Sequence, residues 1–159
     1  MKKVTFGFVV LLTLLLGTTV FSQEKKTASI IGNLIIGGSS IMSDGYDVGF
    51  VSTGFDVDLI STKGVQLTFG YLVNINFEYG IYQNLYLGAG YHFVRDTYHV
   101  GGSLVILPDG NVDVLIGSKA EGGYFFTGNL GISAIMLFAH GVMNEYMIFS
   151  GGLGLTIRL

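Results

Sequence analysis

Asp56 and Asp58 stand two residues apart in the stretch "GFDVDLI". Paired carboxylates can exchange protons with a substrate or hold a cation. They can also sit in an enclosed network that neutralises them, because a buried charge is costly unless it is paired. The residues around them, Phe55, Val57 and Leu59, alternate with the two acids. That puts both carboxylates on one face of a strand. Arg158 lies on the same kind of face near the end of the chain, and Glu78 and Lys119 are further candidates from other segments. The expected arrangement is an interior ion-pair network of Asp56, Asp58 and Arg158.

The other residues with chemical potential form no such set. His92, His99 and His140 have no partner at the spacing of metal ligands along the chain, and without cysteine a thiolate site is impossible. His140 is followed by Gly141 rather than a nucleophile, and no Ser, His and acid constellation stands out. No enzymatic activity, metal or cofactor is expected.

The elements that position these residues are strands. In "VQLTFGYLVNINF", Val65, Leu67, Phe69, Tyr71, Val73, Ile75 and Phe77 alternate with Gln66, Thr68, Gly70, Leu72, Asn74 and Asn76. Period-two alternation of this kind marks a β-strand with one apolar face. The same pattern recurs along the chain and predicts eight strands, near 29–37, 48–60, 65–77, 85–93, 99–107, 112–117, 124–137 and 146–159. Between them, "GSSIMSDGYD", "STKG", residues 79–84, "RDTY", "PDGN", "SKAEGG" and the segment around 140–145 read as connections. An uncharged run over 122–144 is long enough for a membrane helix. Its polar residues recur at period two, however, and Gly128 and Gly131 weaken a helix.

Residues 1–22 have the anatomy of a signal peptide: Lys2 and Lys3, an apolar run over Phe8–Leu16, and small Ser22 at the end. The expected mature domain is 23–159. It keeps six basic residues (Lys25, Lys26, Lys63, Arg95, Lys119, Arg158) and eleven acidic ones, a net charge of −5. That is sparse charge for a soluble domain. No basic patch offers a footing for nucleic acid.

What the apolar faces touch follows from the opposite faces. A soluble barrel would turn Lys, Glu and Thr outward. Here the polar faces carry Gly54, Gly70, Gly88, Gly90, Gly131, Gly152 and Gly154 with Asn, Ser, Thr and Gln. Small residues suit the cramped inside of an eight-stranded barrel, so the apolar faces point out into lipid. Tyr79, Tyr82, Tyr98, Tyr124 and Tyr146 fall near strand ends, where membrane barrels carry aromatic girdles.

On "NLYLGAGYHF" and the terminal "FSGGLGLTIRL", the chain resembles the small outer-membrane β-barrel family of the OmpX and OmpA transmembrane-domain kind. Phe149, Leu153, Leu155, Ile157 and Leu159 match the family's amphipathic last strand, although Leu159 stands where an aromatic residue is usual. The resemblance implies an all-β, eight-stranded up-and-down transmembrane barrel in a Gram-negative outer membrane, with lipid and the barrel-insertion machinery as partners. It implies periplasmic termini, with the connections near 38–47, 79–84, 108–111 and 139–145 outside. The expected role is structural, in envelope integrity, with a lumen closed by side chains. The alternative is a lipocalin-like barrel that binds or passes a small apolar ligand, with interior Leu72 and Leu115 lining it.

Overall fold

A computed structural model describes residues 28–43, 46–109, 113–143 and 145–159. The expected signal peptide, 1–22, lies outside the described residues. Eight antiparallel strands follow in chain order: β1 (Ser29–Ser43), β2 (Tyr46–Ile60), β3 (Val65–Asn76), β4 (Gly80–Val94), β5 (Tyr98–Asp109), β6 (Asp113–Phe125), β7 (Leu130–Gly141) and β8 (Met147–Arg158). Each pairs with its sequence neighbour, and β8 pairs with β1 to close the barrel. The closing ladder runs from Ile31 opposite Arg158 to Met42 opposite Met147. Beyond it, Ile30 and Leu159 exchange both backbone hydrogen bonds, at 3.1 and 2.8 Å. Closure leaves no sheet edge, the condition for a β-structure to cross lipid.

Alternation decides which side chains face where. Leu34, Ile36, Leu67, Leu87, Leu104, Ile132, Leu153 and Leu155 are among the outward, exposed residues. Among the described residues, Asp47 is the only charged residue at an outward strand position, and it sits at a strand end bonded to Ser40. Exposed Tyr46 and Tyr79 mark one end of the apolar wall, and Tyr91, Tyr98 and Tyr124 the other. Twelve-residue strands, rising about 3.3 Å per residue and tilted about 40°, give a wall of about 30 Å. That matches the hydrocarbon thickness of a bilayer.

The turns are short, and local bonds set them. Asn76 Oδ1 accepts from the backbone N–H of Glu78 at 2.7 Å and of Tyr79 at 2.9 Å. Gly80 then reverses the chain with φ +94°. At the opposite end, the Ser61–Gly64 turn closes through Gly64 N–H to the Ser61 carbonyl at 2.9 Å, with Gly64 at φ +84°. Both termini of the described barrel lie at this second end, with the turns at 61–64, 95–97 and 126–129.

Three expected connections are corrected. "GSSIMSDGYD" is mostly strand, since β1 runs to Ser43 and β2 begins at Tyr46. "SKAEGG" is the second half of β6, and the turn comes instead at 126–129, so β7 starts at Leu130 rather than near Tyr124. The connection expected at 79–84 shrinks to 77–79. In "SKAEGG" the cause is visible, since Lys119 and Glu121 face inward and are buried. Gly, Ser and charged residues that punctuate a soluble chain are the ordinary inward residues of a narrow barrel. The segment that could have been a membrane helix forms parts of β6 and β7.

Ile36, 72% exposed, faces outward near the middle of the wall, opposite Thr53 and Leu153. Replacing it by Arg is expected to destabilise the barrel by about 2–4 kcal/mol in vesicles, against about 0–1 kcal/mol for Phe77→Arg at a turn tip. Urea titration of folding into lipid vesicles reads the difference. Equal effects at the two positions would contradict the lipid-facing assignment.

Candidate functional site

The lumen is built in layers. At the end that carries the termini, Ile31, Ile60 and Phe125 form a buried apolar cluster with Val94 against it. Toward the other end, Ile35, Leu72, Val105, Leu107, Leu115, Ile135, Leu137, Ala139 and Ile148 form a larger one. Beyond that, four neutral polar residues close on each other. Ser52 Oγ donates to Asn74 Oδ1 at 2.7 Å, Ser39 Oγ donates to the same oxygen at 2.9 Å, and Asn74 donates to Asn84 at 2.5 Å.

The charged layer belongs with the first cluster. Lys119, 2% exposed, is its hub. Its ammonium reaches Asp58 Oδ2 at 2.9 Å and Glu121 Oε2 at 2.6 Å, and also contacts Asp56 Oδ2. Neutral donors complete the carboxylates. Asn33 Nδ2 donates to Asp56 at 2.7 Å and to Glu121 at 3.0 Å. Tyr86 donates its hydroxyl to Asp56 at 3.1 Å, and Gln66 Nε2 donates to Asp58 at 2.5 Å. A side chain at Gly70 would collide with the Tyr86 ring, a Cβ there falling 2.0 Å from the ring carbon Cζ. The glycine is what lets Tyr86 lie across the lumen to reach Asp56.

Two histidines extend the layer. His92 Nε2 lies 3.0 Å from His99 Nδ1 with the rings stacked, and His99 Nε2 lies 2.9 Å from Ser133 Oγ. His99 Nδ1 is 3.4 Å from Glu121 Oε1, and His92 Nδ1 is 3.9 Å from Asp58 Oδ2. Ser133 and Thr156 contact each other, and both donate to Asn33 Oδ1, at 3.2 and 2.7 Å. Asn33 therefore ties the ion pairs to the histidine chain.

The structure thus brings Asp56 and Asp58 together around a cation, and that cation is Lys119. Arg158 has other partners. Its guanidinium donates to the Arg95 carbonyl at 2.8 Å and to the Gly128 carbonyl, and it lies over the Phe125 ring at 4.7 Å. It stands at the rim because it is the last residue of β8. Glu78 is exposed in the 77–79 turn, so the third carboxylate of the layer is Glu121. Lys119 is the further candidate that the sequence offers and Glu121 is the residue it does not, and both lie in "SKAEGG", which reads as a turn and is strand. The histidine spacing is also corrected in space. The hairpin that places Val94 opposite His99 sets His92 and His99 side by side. The signal was present in "HFVRDTYH", a seven-residue separation folded about a tight turn.

No family model and no curated protein matches the sequence. Solved structures do share the fold. Neisserial surface protein A is similar with a TM-score of 0.60 at 10% identity, over 82% of this chain and 96% of that one. Ail, the attachment invasion locus protein of Yersinia pestis, solved with the heparin analogue sucrose octasulfate, is similar with a TM-score of 0.63 at 11% identity, over 84% and 99%. A de novo designed transmembrane β-barrel gives 0.52 at 12% identity, over 86% and 100%. An eight-stranded closed barrel with an apolar outer wall and its charge held inside defines a transmembrane β-barrel. Its fold is that of the small outer-membrane barrels.

Lys119→Met removes the hub and leaves three buried carboxylates facing one another. Breaking a buried ion pair from one side typically costs about 3–5 kcal/mol, and the temperature at which the folded gel band converts to the unfolded one should drop accordingly. Arg158→Met should shift it much less, because the rim can rehydrate. A larger effect at Arg158 than at Lys119 would contradict the assignment of the hub.

Proposed function

We propose that this protein is a closed structural barrel of a Gram-negative outer membrane that contributes to envelope integrity and conducts no solute. The observation that supports this reading is the stacking of buried side chains inside the barrel, among the described residues, in apolar, charged, apolar and neutral polar layers. Eight strands leave an interior that side chains alone can fill. Leu72 and Leu115, which would line the pocket of a lipocalin-like carrier, pack into the buried apolar cluster with Ile35 and Leu107 instead.

The two ends differ in charge. Among the described residues, Asp47, Glu78 and Glu145 stand at the end away from the termini with neither Lys nor Arg, whereas Lys63, Arg95 and Arg158, against Asp96, lie at the end with the termini. An acidic mouth is a poor match for a polyanion of the kind bound to the Ail structure, which favours a wall over a receptor for such ligands. The termini face the periplasm in this reading, and the acidic turns face outside.

Reconstituted in planar bilayers, the protein should give no conductance steps, and a deletion strain should lose resistance to detergent and chelator. Stable conductance, or unchanged resistance, would overturn the reading. Orientation is read separately. The sequence has no cysteine, so Phe77→Cys, at a position 99% exposed, should react with an impermeant maleimide on intact cells. Thr62→Cys should react only after permeabilisation, and the reverse pattern would invert the assigned topology.

A further inference from the structure

The charged layer holds more acids than bases. Asp56, Asp58 and Glu121 surround a single ammonium, that of Lys119. One ammonium cannot match three ionised carboxylates, so either a carboxyl keeps its proton or a further cation makes up the difference. Such a deficit is expensive in a low-dielectric interior. A divalent cation would close it.

The donors for one stand together. His92, His99 and Glu121 are buried and each offers a ligand atom, all within 4.8 Å of one another. His92 Nε2 and His99 Nδ1 are 3.0 Å apart, and His99 Nδ1 and Glu121 Oε1 are 3.4 Å apart. Two donors each bound at 2.0–2.1 Å to one ion are separated by roughly 2.9–3.4 Å at tetrahedral to octahedral angles. Both of these separations are those of a coordination edge, and the His92–Glu121 pair lies within 4.8 Å.

The far nitrogen of the His92 ring is compatible with such an ion. His92 Nδ1 is buried and has no hydrogen-bond partner, with Asp58 Oδ2 facing it at 3.9 Å. When the ring–ring bond runs from His92 Nε2–H, the His92 Nδ1 lone pair is directed at a carboxylate, and when it runs from His99 Nδ1–H, His92 Nδ1–H faces that carboxylate. An ion taking His92 Nε2 and His99 Nδ1 moves the ring protons to the other nitrogens. His92 Nδ1–H then addresses Asp58, and His99 Nε2–H addresses Ser133 Oγ, 2.9 Å away. Ligating imidazoles are ordinarily held in this way, each by a second acceptor.

We propose that His92, His99 and Glu121 form a buried site for a first-row divalent cation of the zinc type, taken up as the barrel folds. Two imidazoles and a carboxylate are a nitrogen-rich set that suits Zn²⁺, Co²⁺ or Cu²⁺ over Mg²⁺ and Ca²⁺. Entry during folding follows from the apolar clusters that close the layer on both sides. The proposal rests on the barrel fold and not on any role in the envelope.

The test uses the untagged mature chain, refolded from urea into detergent micelles with Co²⁺ and then desalted. The folded wild type should retain about one equivalent of Co²⁺, and the same preparation with Cu²⁺ should show coupling to imidazole nitrogen in its electron paramagnetic resonance spectrum. His92→Gln and His99→Gln should each lower retention by about tenfold or more. His140→Gln, at an exposed position on the outer wall, should retain it. If a variant fails to give the heat-convertible folded band, the wild-type stoichiometry and nitrogen coupling still decide. Folded wild type retaining less than about a tenth of an equivalent, or binding that survives loss of both His92 and His99, would overturn the proposal.

Discussion

Lipid cannot hydrogen-bond a backbone, and that constraint governs this chain. Every strand must be paired on both sides, so the sheet closes from β1 to β8. Closure at eight strands fixes a narrow lumen. The narrow lumen dictates small residues inside, apolar residues outside, and charge only where partners crowd around it. Gly70 beneath Tyr86 is a local consequence, since no larger residue would leave room for the phenol to cross to Asp56.

The same constraint explains why the polar residues are layered. A buried hydrogen-bonding group left unmatched costs more than a typical bond contributes. Concentrating donors and acceptors at one level lets Asn33 serve Asp56, Glu121, Ser133 and Thr156 at once. Residues scattered along the lumen could not share partners in this way. The apolar cluster around Leu107 and Leu115 then separates the charged layer from the neutral one formed by Ser39, Ser52, Asn74 and Asn84.

Face assignment was legible in the sequence because it depends only on parity. Asp56, Asp58 and His92 point inward as the alternation predicts, and Leu67, Leu153 and Leu155 point outward. Level within the barrel was not legible, because it depends on stagger between strands, which no single strand encodes. Arg158 has the inward parity but ends its strand, so it reaches the rim. Lys119 has the same parity at mid-strand and reaches the carboxylates. Its segment was hidden because Ser, Lys, Glu and Gly side by side describe a turn in water and an interior wall in a barrel.

Stagger is also where the charged layer has its physical role. A one-residue slip between strands would turn the apolar wall inward, so alternation alone forbids it. A slip of two residues preserves every face, and the apolar wall is nearly indifferent to it. The lumen is not. Moving β6 by two residues would carry Lys119 about 6–7 Å along the barrel and bring Gly117 or Glu121 to its level. Asp56 and Asp58 would then face Gly117 with no cation at their level, or Glu121 would stand where the ammonium belongs. The contacts that prevent this join β2 to β6 across the lumen, Asp58 to Lys119, rather than neighbour to neighbour. They can form only once the sheet has curled far enough to bring those strands together. The layer therefore selects one register among those that the hydrophobic pattern permits, and it does so at the step when the barrel closes.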